Sequence, residues 1–308
     1  MPFPTFPRRL AAIAATTAAA ALVLTGCGGQ DALSSDSASG SSGDAVIIGS
    51  ADFTESQLIA TIYSQALQAK GVTVKEQFNI GSREVYMAAL QDGSIDLLPE
   101  YSGALLKYLD SESKASTSED VVAELGDKLP KGVSMLDISP AEDKDVLAVT
   151  QETADKYDLK TISDLVPYMS ELSLGGPPEW KTRVNGVVGL EQVYGLTFKE
   201  FVSLDAGGPL TMTALTSGQV QVGDIFSTDP GLTANKLVAL EDDKSLFAAE
   251  NIVPVISTSK LDDTISKTLD KVSAALTTGD LIEMNGKASD GTSLKSIAEE
   301  WLKDADLG

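Results

Sequence analysis

GSREVYMAALQDGSIDLLPEYSG, residues 81–103, is the stretch that decides the fold of this chain. It reads as a loop, a short helix, a tight glycine turn, a buried strand and a polar loop. A second copy lies 125 residues downstream, because Met87–Leu90 and Gly93–Leu97 correspond to Met212–Leu215 and Gly218–Val222. A unit used twice predicts two similar lobes whose strand-end loops face each other. Chance similarity between helices rich in Ala and Gly is the alternative.

The segments around these copies follow the same plan. Short apolar runs that end in glycine, Val46–Gly49 and Leu172–Gly175, predict buried strands, and each precedes a helix and a further strand. This alternation implies α/β lobes with mostly parallel sheets. Two apolar runs near Val146 and Val253 bracket the middle segment, so we expect them to be strands that cross between the lobes. The predicted lobes are residues 45–147 with 253–308, and residues 148–252.

The composition narrows the range of functions. The 308 residues suffice for two domains, and the formal net charge of −22 disfavours nucleic acid and anionic lipid headgroups as partners. An acidic surface fits capture of a cation, although it also fits simple solubility. The chain has no His and only one Cys, which excludes Ser-His-Asp and Cys-His catalysis and the common zinc sites. Acid–base chemistry by carboxylates is not excluded.

The N-terminal part predicts export and anchoring. Arg8 and Arg9 precede an uncharged apolar run over residues 10–24, which is too short to span a membrane comfortably. The run ends in Leu-Thr-Gly-Cys27, which resembles the lipobox of bacterial lipoproteins, so we expect residues 1–26 to be a signal peptide and Cys27 to be lipidated. A plain secretory signal with a buried Cys is the alternative. Residues 27–44, rich in Ser, Gly, Ala and Asp, predict a flexible tether.

Ligands of open α/β sheets bind beyond the carboxyl ends of the strands. The loops predicted at those ends hold aromatic, acidic and amide residues together with several glycines. Two lobes that close over a small polar molecule would use such a set. These loops are Ser50–Glu55, Asn79–Arg83, Glu100–Gly103, Gly175–Arg183, Asp205–Pro209 and Asp224–Asp229.

Several motifs in these loops resemble the solute-binding proteins of osmoprotectant ABC importers, which take up glycine betaine, choline, carnitine and related quaternary amines. The motifs are VIIGSADFTE at 46–55, GSRE at 81–84, GSID at 93–96, EYSG at 100–103, GGPPE at 175–179, YGL at 194–196, DIFSTD at 224–229 and LEDDK at 240–244. The resemblance implies a two-lobed, flytrap-like periplasmic-binding-protein fold of type II. It also implies that ligand is delivered to a permease and its ATPase.

Ligand recognition in that family resembles a cage of tyrosine rings around a trimethylammonium group, held by cation–π attraction. Tyr101, in the Glu-Tyr-Ser-Gly loop, matches a cage position, and a half-buried core ring is the alternative for it. The resemblance departs at Leu147, where many betaine binders carry Tyr, and at Glu250–Asn251, where they carry an aromatic pair. The exact ligand is therefore open.

Other residues are expected to complete the site. Phe53, Tyr86, Phe226 and Tyr194 could replace the missing aromatics, although packing is favoured for Tyr194, which precedes Gly195 on a helix. Arg83 and Arg183 could hold a ligand carboxylate through two parallel hydrogen bonds. Arg83 could instead cap its own loop. Thr54 is also placed to cap the first helix. The expected ligand-binding residues are Phe53, Thr54, Glu55, Arg83, Tyr86, Glu100, Tyr101, Arg183, Asp224, Phe226, Thr228 and Asn251.

We therefore predict a monomeric solute-binding lipoprotein at the outer face of the cytoplasmic membrane, without catalytic residues, cofactor or metal. Its expected partners are a small quaternary amine or other compatible solute, the permease and the ATPase. An extracytoplasmic enzyme that uses carboxylates such as Glu100 and Asp224 is the alternative from another class. The lack of His and of a nucleophile motif argues against it. A ligand-sensing lipoprotein without transport has the same sequence features.

Overall fold

The computed structural model describes residues 45–308, so the predicted signal peptide, lipidation site and tether lie outside the described residues. Ten strands form in this part of the chain, and the predicted crossing strands are the fifth and the tenth. The strands are β1 (Val46–Gly49), β2 (Val74–Gln77), β3 (Leu97–Tyr101), β4 (Val133–Met135), β5 (Asp145–Thr150), β6 (Ser173–Gly176), β7 (Glu200–Ser203), β8 (Val222–Phe226), β9 (Leu237–Ala239) and β10 (Ile252–Ser257).

Helices connect the strands and cover the sheets. The α-helices are α1 (Thr54–Ala69), α2 (Arg83–Asp92), α3 (Ser102–Leu109), α4 (Ser118–Lys128), α5 (Gln151–Tyr157), α6 (Val187–Gly189), α7 (Pro209–Thr216), α8 (Gly231–Ala234), α9 (Asp263–Ala275), α10 (Thr278–Ser289) and α11 (Leu294–Asp304). Shorter 3-10 helices span Ile162–Tyr168, Pro178–Lys181 and Thr258–Lys260, and a π-helix at Leu190–Tyr194 continues α6.

The prediction that Thr54 caps the first helix is wrong. Thr54 is already the first residue of α1, and Phe53 occupies the cap position in an extended conformation, without a side-chain hydrogen bond to the helix. The loop before the helix is held by another hydroxyl, because the backbone N–H of Ala51 donates to Oγ of Ser56 at 3.0 Å.

The two sheets share one topology. Their strand orders are β2-β1-β3-β10-β4 and β7-β6-β8-β5-β9. In the first sheet β1 runs parallel to β2 and β3, and β10 is antiparallel to both β3 and β4. The second sheet repeats this with β6, β7 and β8 parallel and β5 antiparallel to β8 and β9. Every strand except the crossing strand therefore points the same way, which confirms the predicted mostly parallel sheets.

The repeated unit takes equivalent places in the two sheets. Gly93 follows the last residue of α2 with a left-handed φ of 80°, and Gly218 comes after α7 with a φ of 76°. Each turn then leads into the strand beside the crossing strand, β3 in one sheet and β8 in the other. Glycine suits these turns because other residues adopt positive φ only at a steric cost.

Each sheet packs helices on its faces. A large core contains side chains of β1, β3 and β10 and of α1, α9, α10 and α11, including Trp301 of α11. The second sheet builds a separate core around Trp180 and Leu147, whose side chains are 1% and 0% exposed. The described residues belong to one compact unit. The lobe boundaries given above thus stay a prediction. Within residues 45–308 no helix combines the length and apolar character needed to cross a bilayer.

Candidate functional site

A cavity lies where the loops of the two sheets meet. It is formed by segments that follow β1, β6 and β7, by the start of α2, by the ends of β3 and β8, and by residues at the starts of α3, β5 and β10. Its volume in this conformation is about 70 Å³. The lining residues are Ala51, Asp52, Phe53, Ser82, Arg83, Tyr86, Tyr101, Ala104, Asp143, Asp145, Pro177, Glu179, Trp180, Arg183, Asn185, Ala206, Asp224, Phe226 and Glu250.

The structure brings most of the expected ligand-binding residues together in this cavity. Those in its lining are Phe53, Arg83, Tyr86, Tyr101, Arg183, Asp224 and Phe226. Those outside the lining are Thr54, Glu55, Glu100, Thr228 and Asn251. Most residues of this second group make hydrogen bonds or packing contacts behind or beside the cavity wall.

Glu55 is the centre of a buried hydrogen-bond network. Its carboxylate is 4% exposed and accepts from the hydroxyl of Tyr101 at 2.8 Å, the hydroxyl of Thr228 at 2.6 Å and the side-chain amide of Asn285 at 2.6 Å. The network therefore links the first turn of α1, the end of β3, the loop after β8 and helix α10. Glu55 and Thr228 hold the wall of the cavity and fix the Tyr101 ring.

Arg83 is already bound by a carboxylate of the protein. Its Nε and Nη2 donate to Oε1 and Oε2 of Glu100, each at 2.9 Å, and the two side chains are 7% and 0% exposed. Glu100 also accepts the backbone N–H of Tyr101 at 2.9 Å. Two of the N–H donors of Arg83 are therefore taken within the protein, and the expectation that Arg83 receives a ligand carboxylate stays a prediction. Its two-pronged donor geometry is used to orient the strand end that carries Tyr101.

Arg183 makes a similar pair nearer to solvent. Its Nε and Nη2 donate to Oε1 and Oε2 of Glu84 at 3.1 and 2.9 Å, with side chains 19% and 44% exposed. Glu84 belongs to α2, and Arg183 lies between β6 and β7, so this pair joins elements of the two sheets. The hydrogen bonds from Arg183 hold the pKa of Glu84 down at about 2, against the opposing effect of burial. Arg183 lines the cavity with two of its N–H donors taken by Glu84, so its contact with a ligand carboxylate likewise stays a prediction.

Aromatic rings form one wall of the cavity. The ring of Phe53 lies 5.8 Å from Tyr101 and 5.1 Å from Phe226, measured between centroids, so the three rings touch in sequence across the two sheets. Trp180, from the loop after β6, stacks on Phe247 at 6.4 Å. Such rings supply apolar contact and negative π-faces, which attract cations.

Buried carboxylates also line the cavity and make it acidic. Asp224, on β8, is 1% exposed, and neither of its carboxylate oxygens receives a hydrogen bond from residues 45–308. Asp145, at the start of β5, accepts only long hydrogen bonds from Nε1 of Trp180 at 3.4 Å and Nδ2 of Asn185 at 3.5 Å. Burial raises the pKa of Asp145 to about 6. Burial and the charge of Asp145 together raise the pKa of Asp224 well above its usual value.

Two further acids complete this acidic lining. Asp143 accepts from the hydroxyl of Ser227 at 2.9 Å and the backbone N–H of Thr228 at 3.0 Å. Burial, followed by the charge of Glu55, raises its pKa well above the usual value. Glu250 accepts the backbone N–H of Ala104 at 2.8 Å, and burial raises its pKa to about 8. A cation in the cavity would favour the charged forms of all these acids.

Asn251 and Leu147, the two positions at which the sequence departs from the expected cage, make contacts within the protein. The backbone N–H of Asn251 donates to Oγ of Ser102 at 3.0 Å, and its side-chain amide donates to the carbonyl of Ser139 at 3.0 Å. Leu147 is fully buried in the core of the second sheet. Neither side chain lines the cavity.

Sequence reasoning missed much of the acidic lining. Asp143 and Asp145 flank the start of the crossing strand that the apolar run near Val146 revealed, and Glu250 precedes the other crossing strand in the same way. A crossing strand runs antiparallel to its neighbours, so its amino end meets their carboxyl ends. This topological rule would have placed these acids at the site. Glu179 and Trp180 lie in a loop that the sequence marked as facing ligand.

Comparisons with known proteins point to one group of binding proteins. A family model described as the substrate binding domain of ABC-type glycine betaine transport systems matches residues 44–304. A glycine-betaine-binding protein of Pseudomonas aeruginosa is 30% identical over 223 residues, covering 68% of this chain and 70% of that protein. The carnitine transport binding protein OpuCC of Listeria monocytogenes is 27% identical, covering 86% and 88%. A solved glycine betaine/carnitine/choline ABC transporter structure has a TM-score of 0.67 at 25% identity, covering 85% of this chain and 99% of that one.

Proposed function

Because this chain belongs to the family of substrate-binding domains of ABC-type glycine betaine transport systems, we propose that it captures a small cationic osmoprotectant, a quaternary amine or a related amine. The ligand is bound between the two lobes and handed to a permease that an ATPase drives. The observation that carries the proposal is the cavity at the strand ends, which combines aromatic rings with buried carboxylates. The arginines beside it are already paired within the protein.

Capture by lobe closure follows from which elements meet at the cavity. Phe53 and Tyr101 come from the first sheet, and Asp224 and Phe226 come from the second. A ligand that touches both sets stabilises the closed arrangement and has no such effect on an open one. The Arg183–Glu84 pair adds a link between the two sides that is partly exposed and therefore weak on its own.

We propose that the mature protein is anchored at the outer face of the cytoplasmic membrane through a lipid on Cys27. The support is the sequence of the first 27 residues, in which a basic start and an apolar run lead to Leu-Thr-Gly-Cys. Labelling of expressing bacteria with a fatty-acid analogue is expected to mark the parent chain and to miss the Cys27→Ser variant. An unlabelled parent chain would refute the anchor.

Ligand capture is tested by calorimetry on the full chain, unfolded and refolded to remove copurifying ligand. Glycine betaine, choline, carnitine, proline betaine and ectoine are titrated beside primary-ammonium and guanidinium counterparts. At least one compound is expected to bind, and each binder is expected to raise the melting temperature. Lack of binding by every compound would refute the proposed solute class. Lower uptake of the bound compound by cells that lack the gene tests transport.

A further inference from the structure

We propose that the cationic group of the ligand carries N–H donors, as a primary ammonium or a guanidinium does, and that Asp224 and Asp145 accept them. This inference rests on the proposed function, in which the cavity captures a solute. It narrows the chemical class of that solute, because a trimethylammonium group has no N–H to donate.

The first step is the hydrogen-bond deficit of Asp224. Its side chain is 1% exposed and lines the cavity, yet no residue of the described chain donates to either carboxylate oxygen. An ionised carboxylate can accept at both oxygens, and a buried acceptor without a donor is destabilising, more so when it is charged. Buried polar groups without partners are rare in folded proteins. The site therefore gains most from a ligand that donates at this position.

The second step is the position of Asp145. Leu147 of β5 pairs with Asp224 of β8. Asp145 lies two residues before Leu147, on the strand next to Asp224. Its only hydrogen bonds from described residues are the two long ones to Oδ2, at 3.4 and 3.5 Å. The two carboxylates repel each other, and this repulsion contributes to the raised pKa of Asp224. A cation between them removes the repulsion, and its N–H groups satisfy both acceptors.

The third step is that the protein supplies no free positive charge in the lining. Arg83 and Arg183 are the basic side chains there, and each is held by a carboxylate outside the lining, Glu100 and Glu84. Neither arginine donates a hydrogen bond to Asp224, and Asp145 accepts only from Trp180 and Asn185 among the described residues. The charge of Arg183 acts on both aspartates only through space, so a ligand cation between them adds the direct hydrogen bonds that the arginines do not supply.

The fourth step is the state of the aromatic rings. Phe53 packs against both Tyr101 and Phe226, and Trp180 stacks on Phe247, so part of each ring already contacts another ring. A trimethylammonium group depends on open ring faces, whereas an N–H cation gains directional, charge-assisted hydrogen bonds as well. A site built to hydrogen-bond a ligand discriminates strongly against an analogue that lacks the donors.

Matched ligand pairs test the inference by calorimetry on the refolded full chain. γ-Aminobutyrate and γ-guanidinobutyrate are compared with γ-butyrobetaine, and ethanolamine is compared with choline. Within at least one set the N–H compound is expected to bind at least tenfold more tightly than the trimethylated one. Equal or tighter binding by the trimethylated compounds in both sets overturns the inference and leaves the proposed function standing. No binding by any compound overturns both.

Variants identify the residues responsible. Asp224→Asn is expected to weaken binding of the preferred N–H compound at least tenfold, and Asp145→Asn is expected to weaken it in the same direction. Glu191→Gln, an exposed acid away from the cavity, removes the same charge and serves as the control. Thermal melting of the ligand-free variants separates lost binding from lost folding. Unchanged affinity in folded Asp224→Asn or Asp145→Asn protein overturns the assignment of that residue.

Discussion

The pair Arg83–Glu100 gives the sharpest test of what holds the first strand-end loop. Glu100→Gln leaves the Arg83 guanidinium buried beside a neutral amide. Because both side chains are less than a tenth exposed and both hydrogen bonds measure 2.9 Å, the loss corresponds to breaking a buried ion pair. The expected decrease in the free energy of unfolding is about 3–5 kcal/mol.

The chain contains a matched control with the same geometry. Arg183 and Glu84 also form two parallel hydrogen bonds, at 3.1 and 2.9 Å, but the side chains are 19% and 44% exposed. Water screens this pair and solvates the partner that remains, so Glu84→Gln is expected to lower the free energy of unfolding by less than about 1 kcal/mol. The difference between the two variants therefore isolates the effect of burial.

Urea denaturation of the ligand-free protein, followed by circular dichroism, measures both values. The double variant Arg83→Met/Glu100→Gln removes both charges and is expected to be more stable than Glu100→Gln alone, because no charge is left buried without a partner. Equal losses for Glu100→Gln and Glu84→Gln would refute the argument from burial. A double variant less stable than Glu100→Gln would refute the argument from charge.

Two further predictions concern the cavity. Burial raises the pKa of Asp145 to about 6 and that of Glu250 to about 8, so between about pH 5 and 8 the ligand-free folded state binds protons that the unfolded state has released. Its free energy of unfolding is therefore expected to fall as pH rises, by up to about 1.4 kcal/mol per pH unit per proton, whereas its affinity for a cation is expected to rise. Urea denaturation and calorimetry at pH 5 and 8 measure the two quantities. A free energy of unfolding that rises, or an affinity that falls, between these pH values would contradict the assignment. Tyr101→Ala is expected to weaken cation binding at least tenfold in calorimetry, and Tyr101→Phe, which keeps the ring and loses the hydrogen bond to Glu55, is expected to weaken it less. Unchanged affinity in Tyr101→Ala would make Tyr101 a core residue.

The sequence alone determined the architecture of this protein. The repeat of residues 81–103 near 206–229 predicted two equivalent units, and they occupy equivalent places in the two sheets. The apolar runs near Val146 and Val253 became the crossing strands β5 and β10. These features are local, because strand and turn signals depend on neighbouring residues, and chain order then limits the topology to few choices. Phe53, Tyr101 and Phe226 lie in the strand-end loops that these signals predicted, and the family resemblance singled them out.

The partners of the charged side chains were decided only by the tertiary structure. Arg83 and Glu100 are 17 residues apart, but Arg183 and Glu84 are 99 apart, and Glu55 meets Asn285 across 230 residues. Whether an arginine is free for a ligand or bound by a carboxylate depends on such long-range contacts. Asp224 shows the converse, since only the fold reveals that it is buried without a donor. Sequence thus determines which side chains reach the cavity region, and packing determines which of them still need a partner.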